Sequence, residues 1–205
     1  MMNYFSKYKL IIFDLDNTLI LERDYLFKGY EDISYHIESI CFLDRIKIEN
    51  YLKNEFIKNG RSKLFDKMIS HFNISEVKIT SILNILRRVK PQKKICLIEN
   101  MKQILMLLKN NKIPYVIFTN GNVVQQKNKV ANIQWDGLLT DIIYANEISP
   151  KPNPISFSKY LLKNKIKINK DEILMIGDSN VDELFAKNMG CDFEHVSYFL
   201  SKIIS

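Results

Sequence analysis

The spacing of apolar residues changes twice along the chain. The run LIIF after Lys9 is typical of a strand buried on both faces, and it ends abruptly at Asp14 and Asp16. From about Asp24 to Val89 the apolar positions recur instead every three or four residues, which predicts amphipathic helices. After that segment, helical stretches alternate with short apolar runs. This order predicts a core formed by both ends of the chain, with a helical segment inserted between them.

Four helices are predicted inside the inserted segment. Asp44 can cap the second helix and Gly60 can end it, while the third and fourth are predicted over 62–72 and 75–89. Short joints between consecutive helices favour a small bundle of the four-helix type. The apolar stripe of the first helix consists of Leu26, Tyr30, Ile33, Ile37 and Ile40.

Strands and helices alternate in the rest of the chain. Strands are predicted over 9–13, 115–118, 141–145 and 172–179, and helices over 99–110, 155–164 and 181–188. This alternation predicts an α/β fold, a Rossmann-like parallel sheet formed by residues 1–20 and 94–205, with residues 21–93 as the helical insert. The helix before Gly190 is expected to be the last, with at most one further strand after it. Ligands bind beyond the carboxyl ends of parallel strands, so the segments FDLD, FTNG and IGDS should converge there.

Composition narrows the possible functions. The formal charge is +7, but only five of the 30 basic residues are Arg and the lysines are spread along the chain, so we expect no nucleic-acid partner and a small anionic ligand instead. The three cysteines are widely spaced without a C-x-x-C motif, which favours a reducing, cytoplasmic compartment. No secretory signal and no apolar run near the roughly 20 residues of a membrane span is present, so no membrane association is expected. A monomer is favoured over an oligomer.

Four polar motifs follow the predicted strands in a fixed order. They are D-x-D-x-T over 14–18, Thr119-Asn120-Gly121, Lys151 before Pro152, and G-D-x-x-x-D over 177–182. Residues two apart in a strand face the same side, so the two carboxylates of the first motif would repel each other unless a cation or a shared proton relieves them. Each motif alone has an ordinary explanation as a turn, a loop, a helix cap or a helix N-terminus. Their conjunction, in this order and at strand ends, outweighs these ordinary explanations.

The ordered set of motifs resembles the haloacid dehalogenase superfamily, in its phosphatase branch, over nearly the whole predicted core. The inserted helices are similar to that family's helical cap. The resemblance implies that Asp14 attacks phosphorus to form an aspartyl-phosphate and that Asp16 serves as the acid–base group. It also implies that Asp14, the backbone carbonyl of Asp16, and Asp178 bind Mg²⁺, while Lys151 neutralises the phosphoryl oxygens. Asp182 would orient waters or hold Lys151.

The remaining assignments concern the substrate. Thr119, Asn120, Gly121 and Thr18 are the expected phosphate-binding residues, and Asp16 argues against the dehalogenase branch, which lacks an aspartate there. Within the cap, Arg61 in the break Gly60-Arg61-Ser62 is a candidate substrate contact, although an ordinary exposed position explains it equally well. The three histidines are interpreted as structural or exposed.

These residues predict a Mg²⁺-dependent phosphomonoester hydrolase of a small metabolite. The segment DYLFKGYEDIS is similar to phosphatases of sugar and surface-polysaccharide metabolism, which favours a sugar phosphate over a nucleotide. A sugar phosphomutase of the same superfamily and a catalytically silent phosphate-binding regulator are the alternatives.

Overall fold

The computed structural model describes residues 2–204, and it has the predicted α/β architecture, a parallel sheet flanked by helices. Five strands form the main sheet in the order β5-β3-β1-β6-β7, and β2 pairs with β4 in a separate two-stranded sheet. The strands are β1 Leu10–Phe13, β2 Ile95–Cys96, β3 Tyr115–Thr119, β4 Ile133–Gln134, β5 Ile142–Tyr144, β6 Ile173–Gly177 and β7 Asp192–His195.

Helices cover both faces of the sheet and fill the inserted segment. Two short 3₁₀ turns, Ala145–Glu147 and Lys170–Glu172, precede α8 and β6 respectively. The helices are α1 Met2–Phe5, α2 Glu22–Cys41, α3 Arg45–Asn59, α4 Leu64–His71, α5 Ile79–Arg87, α6 Glu99–Asn110, α7 Val123–Asn132, α8 Ile155–Lys163, α9 Asn180–Met189 and α10 Val196–Ile204.

Strand β1 is the centre of the sheet, which explains why its sequence is apolar at every position. Ile12 pairs with Val116 of β3 and with Met175 of β6, so β1 has a neighbour on each side. Alternate residues of a strand face opposite sides. Ile11 belongs to one buried apolar cluster and Ile12 to the other, so each face of the sheet has its own core.

The predicted second helix of the insert is confirmed, with its caps. The Asp44 side chain accepts hydrogen bonds from the backbone N–H groups of Ile46 and Lys47, at 2.9 and 3.3 Å, and Gly60 ends α3 with a φ of 67°. Helices α4 and α5 begin later than predicted, at Leu64 and Ile79. The turns before them include residues in left-handed backbone conformations, and such residues interrupt a helix.

The insert and the core share one apolar cluster. Tyr30, Leu52 and Met68 of the insert belong to the same buried cluster as Ile11 and Leu174 of the sheet. The apolar core of the insert is therefore continuous with the core on one face of the sheet, and α5 of the insert packs on α7.

The prediction that α9 is the last helix was wrong, because α10 follows it. Strand β7 pairs with β6, and it is the one further strand that the tail was expected to allow. The ring of Phe199 in α10 is fully buried and packs edge-on against Phe5 of α1, with ring centroids 5.9 Å apart. This contact joins the two ends of the chain, so it could not be read from the local pattern.

None of the helices in the described part of the chain has the length and apolarity that crossing a bilayer requires.

Candidate active site

A polar cavity of about 250 Å³ lies at the carboxyl ends of β1, β3 and β6. This is the edge of the sheet where the three predicted segments were expected to converge. Of the residues singled out from the sequence, those that line this cavity are Asp14, Asp16, Arg61, Thr119, Asn120, Lys151, Asp178 and Asp182.

Asp14 and Lys151 form the buried centre of this cavity. The Lys151 ammonium lies 2.7 Å from Asp14 Oδ1, 2.5 Å from Asp182 Oδ1 and 2.8 Å from the carbonyl oxygen of Phe118. Burial raises the pKa of Asp14 to about 7, against the opposing effect of the Lys151 charge. Two carboxylates raise the pKa of the Lys151 ammonium despite its burial, so the lysine is held in its charged form.

Asp16 is bound by two residues that the sequence analysis missed. The Lys129 ammonium lies 2.8 Å from Asp16 Oδ1 and 2.7 Å from Oδ2, and Gln126 Nε2 donates to Oδ2 at 2.9 Å. Gln126 and Lys129 are three residues apart on α7, so they lie on one face of that helix. Asn122 caps the helix by accepting a hydrogen bond from the Gln125 N–H at 3.2 Å.

Glu22, at the start of α2, is a further acidic residue of the cavity that sequence reasoning missed. Its Oε1 lies 3.2 Å from the Lys129 ammonium and 2.7 Å from Arg61 Nη1. Burial and the charge of Asp16 raise the pKa of Glu22. Arg61 thus reaches the cavity from the turn between α3 and α4, and its side chain remains 61% exposed.

Residues at the carboxyl end of β3 form a further part of the cavity wall. Thr119 Oγ1 accepts a hydrogen bond from Gln126 Nε2 at 2.9 Å. The Asn120 side chain holds the backbone of Lys151, since its Nδ2 donates to the Lys151 carbonyl at 3.0 Å and its Oδ1 accepts from the Lys151 N–H at 2.8 Å. This contact differs from the predicted one, in which the Asn120 amide meets phosphoryl oxygens. Gly121 has a φ of 122°, a conformation that favours glycine, and its N–H donates to Asn146 Oδ1.

Three carboxylates could hold a metal ion here. Oxygen atoms of Asp14, Asp178 and Asp182 lie within 4.8 Å of one another. Both oxygens of Asp182 already have partners, Lys151 at 2.5 Å and the Ser179 hydroxyl at 2.6 Å, which leaves Asp14 and Asp178 as the better ligands. Burial raises the pKa of Asp178 and the pKa of Asp14, against the opposing charge of Lys151. An all-oxygen pair of buried carboxylates of this kind fits Mg²⁺.

Two backbone features allow these carboxylates to approach. A Cβ on Gly177 would lie 2.5 Å from the Asp182 side chain, so only glycine permits this approach. Asn17 has a φ of 57°, a left-handed conformation that Asn tolerates, and its side chain lowers the pKa of Asp178 through a hydrogen bond.

Thr18 and the histidines occupy other environments. Thr18 is fully buried, does not line the cavity, and its Oγ1 lacks a hydrogen-bond partner within the described residues. His71 stacks on Tyr51 with ring centroids 4.4 Å apart, and His36 is half-buried on α2. His195 Nε2 lies 3.0 Å from the Asp178 carbonyl oxygen, so this histidine supports the loop that carries a candidate metal ligand.

The sequence matches the model of a known protein family. The model of the haloacid dehalogenase-like hydrolase family matches residues 11–196. No curated protein matches the chain in sequence.

Solved structures share the fold at low sequence identity. The HAD-hydrolase YfnB from Bacillus subtilis, bound to magnesium, is 17% identical with a TM-score of 0.64, covering 91% of this chain and 85% of its own. A structure described as a beta-phosphoglucomutase from Thermotoga maritima is 11% identical with a TM-score of 0.64, covering 96% and 98%. The L-2-haloacid dehalogenase from Xanthobacter autotrophicus is 15% identical with a TM-score of 0.54, covering 91% and 76%. These likenesses establish the shared fold alone.

Proposed function

The chain belongs to the haloacid dehalogenase-like hydrolases, and we propose that it is a Mg²⁺-dependent phosphatase of small phosphate monoesters. The observation that carries this proposal is the separate bonding of the two carboxylates of the first motif. Asp14 is bound by Lys151 and lies beside Asp178, whereas Asp16 is bound by Lys129 and Gln126 of α7. One carboxylate is thus placed among cationic and metal-binding groups, and the other is available for proton transfer.

In the first step, an Asp14 carboxylate oxygen attacks phosphorus. The bond between phosphorus and the ester oxygen breaks, Asp16 gives its proton to that oxygen, and the alcohol leaves. The product is an aspartyl-phosphate on Asp14. Lys151 stabilises the charge on the phosphoryl oxygens, as fixed cations do in phosphoryl transfer.

In the second step, Asp16 removes a proton from water as the water oxygen attacks phosphorus. The bond between phosphorus and the Asp14 oxygen breaks, which releases inorganic phosphate and restores the Asp14 carboxylate and the protonated Asp16. Mg²⁺ bound by Asp14, Asp178 and the Asp16 carbonyl would neutralise phosphoryl charge and fix the approach of the ester.

The acid–base group favours a phosphate ester over a halogenated acid. An alkoxide leaving group needs a proton as it departs, while a halide leaves without one. Asp16 lines the cavity two residues after Asp14 and is 18% exposed at its side chain, so a proton donor is accessible there. This proton donor has no task in halide displacement.

The walls of the cavity support a sugar phosphate as substrate. A second cavity of about 140 Å³ shares three residues with the first and adds Gly121, the amides of Asn122, Gln125 and Gln126, and Lys129; the shared residues are Asp16, Arg61 and Asn120. Among the described residues, neither cavity is lined by an aromatic side chain on which a nucleobase could stack. Amide groups and a guanidinium can form hydrogen bonds with the hydroxyl groups of a sugar. Residues 21–93, which supply Arg61 and Glu22, would act as the cap that selects the leaving group.

A screen of phosphorylated metabolites with Mg²⁺, measuring released phosphate, tests the proposal. We expect turnover of hexose phosphates above that of nucleotides. Absence of phosphate release from every ester, together with chloride release from 2-chloropropionate, would overturn the proposal in favour of a dehalogenase. Interconversion of sugar phosphates that depends on a bisphosphate sugar and releases little phosphate would assign a mutase instead.

A further inference from the structure

We propose that Lys129 is a positioning residue that fixes the Asp16 carboxylate for proton transfer to the leaving group; this role rests on the proposed function. Lys129 lies on α7, outside the four motifs, and only 1% of its side chain is exposed. Lys129 lines the second cavity, but its ammonium is already paired with Asp16 and Glu22. We therefore expect its effect on catalysis to pass through Asp16.

The contacts of Lys129 are directed mainly at Asp16. Its ammonium lies 2.8 and 2.7 Å from the two Asp16 oxygens, compared with 3.2 Å from Glu22 Oε1. A lysine buried to this degree is destabilising unless its charge is paired, and the pair of Asp16 and Glu22 supplies that compensation. The Tyr25 ring completes the enclosure, with its centroid 5.4 Å from the ammonium.

This arrangement restricts the orientation of the carboxylate. One cation contacts both Asp16 oxygens while Gln126 Nε2 holds Oδ2 at 2.9 Å, so rotation of the carboxylate would break at least two hydrogen bonds. Without Lys129, the Gln126 amide would be the remaining donor among these contacts, and the partly exposed Asp16 could adopt other rotamers. Proton transfer needs the acid within hydrogen-bond distance of the leaving oxygen, and a displacement of about 1 Å can cost ~10²-fold in rate.

The leaving group provides a readout that a merely structural residue would not change. 4-Nitrophenolate departs readily without a proton, whereas phenolate benefits from one, and the two esters are otherwise alike in shape. The value of kcat/KM reports the steps through leaving-group departure. It therefore separates the acid role of Asp16 from its later role as base.

The experiment compares Lys129→Met with wild type on 4-nitrophenyl phosphate and phenyl phosphate. We expect kcat/KM to fall at least ~10-fold more for phenyl phosphate than for 4-nitrophenyl phosphate, which is within the range for general acid catalysis. Lys127→Met is the matched control, because Lys127 is on the same helix but exposed and paired with Glu147. Its ratio of the two rate constants should equal that of wild type.

A double-mutant cycle completes the test. In an Asp16→Asn background, Lys129→Met should cause no further loss on phenyl phosphate, because Lys129 acts through Asp16. Lys129→Met leaves the carboxylates of Asp16 and Glu22 without their shared cation, which could prevent folding. In that case Glu22→Gln is compared with Glu22→Gln/Lys129→Met, because the first substitution removes one of the two charges. Equal losses on both esters, or additive losses in the cycle, would overturn this role for Lys129. A wild-type protein that releases phosphate from neither aryl ester and from none of the phosphorylated metabolites in the screen would instead overturn the proposed function, and this role with it.

Discussion

Asp14 and Asp16 are two residues apart, yet each carboxylate is bound by a different lysine. Lys151 contacts Asp14 at 2.7 Å and Lys129 contacts Asp16 at 2.7 Å. Burial raises the pKa of Asp14 to about 7, so its anionic form depends on neighbouring positive charge. Different surroundings of this kind would suit the different chemical roles proposed for the two side chains.

Asp14→Asn tests the nucleophile at the scale of one residue. The substitution keeps the size of the side chain and removes the oxygen anion that attacks phosphorus, so phosphate release should fall by at least ~10³-fold. The measurement is the initial rate of phosphate release, together with thermal unfolding to verify the fold.

Asp171→Asn is the control for this change. Asp171 is exposed in the turn before β6, at the edge of the sheet opposite the site, and its substitution should leave the rate unchanged. A folded Asp14→Asn protein that keeps more than about a tenth of the wild-type rate, a loss below ~1.4 kcal/mol, would remove Asp14 as nucleophile.

The sequence could predict the motif residues but not the residues that bind Asp16. Asp14, Lys151 and Asp178 stand at strand ends in a recognisable order, which is visible along the chain. Lys129 is one lysine in a lysine-rich sequence, and its burial depends on how α7 packs on the insert. Likewise, Asn120 binds the backbone of Lys151 only because two separate loops meet.

At the scale of elements, the turn between α3 and α4 carries Arg61 to the edge of the cavity. Its guanidinium is bound to Glu22 of α2 and lies between the two polar cavities. Arg61 is therefore placed where it could contact the leaving group. The sequence alone had explained this residue equally well as a substrate contact and as an ordinary exposed position.

Arg61→Ala should weaken use of the larger substrate selectively. A hexose phosphate identified by the screen should lose about tenfold in kcat/KM, the loss expected from one charge-assisted hydrogen bond, because remote binding energy contributes to catalysis. Turnover of 4-nitrophenyl phosphate, which makes few contacts to the insert, should change less than about twofold.

Lys58→Ala is the matched control for Arg61, since Lys58 is an exposed cation in the last turn of α3. It should change neither substrate. Identical kinetics of Arg61→Ala and wild type on both substrates would place Arg61 outside the substrate site.

A second element-scale prediction concerns pH and the junction of the N-terminal segment with β7. The Lys7 ammonium, 2.6 Å from Asp192, lowers the pKa of that carboxyl, and Tyr8 donates to it at 2.9 Å. A lowered pKa in the folded state adds stability above the unfolded pKa of about 3.9, and this stability is lost as the pH falls through the folded pKa. Since the Asp192 side chain is 40% exposed, the contribution should stay below about 1 kcal/mol.

Urea unfolding of Asp192→Asn checks this sign. The variant should be less stable than wild type at pH 7, and the difference should shrink as the pH falls below 4 because the wild-type carboxyl becomes protonated. A difference that is constant from pH 7 to pH 3 would show that the charge of Asp192 does not contribute.

Elements with long regular patterns were predictable, while those that depend on distant partners were not. Helix α6 has the predicted bounds, Glu99–Asn110, because its apolar stripe repeats over three turns. Strand β7 reads DFEH without clear alternation, and it is a strand because β6 offers an open edge beside it. The two-residue strands β2 and β4 are too short to leave a pattern.

Across the whole molecule, α7 joins the insert to the core. Asn128 Nδ2 donates to the Val89 carbonyl at 2.7 Å and to Tyr25 Oη at 3.0 Å, and Tyr25 in turn donates to the Leu86 carbonyl at 2.8 Å. The start of the insert, at Tyr25, is thus hydrogen-bonded to its end, at Leu86, and both are hydrogen-bonded to α7, the helix that carries Lys129. Any movement of the insert over substrate must act on this junction, which lies next to Asp16.

Magnesium should couple the site to the stability of the entire fold. Asp14 and Asp178 come from the ends of β1 and β6, and burial, with a smaller effect of neighbouring carboxylates, raises the pKa of both groups. A divalent cation that binds the folded protein stabilises it by mass action, by about 2.7 kcal/mol at 100 times its dissociation constant. The melting temperature should therefore rise with Mg²⁺, less so in Asp178→Asn, and chelation should abolish phosphate release until Mg²⁺ is restored.

Ca²⁺ should raise the melting temperature without restoring turnover, because its larger and looser coordination misplaces the ester. Full turnover in chelator, with bound metal verified as negligible, would contradict the assignment of these carboxylates to Mg²⁺.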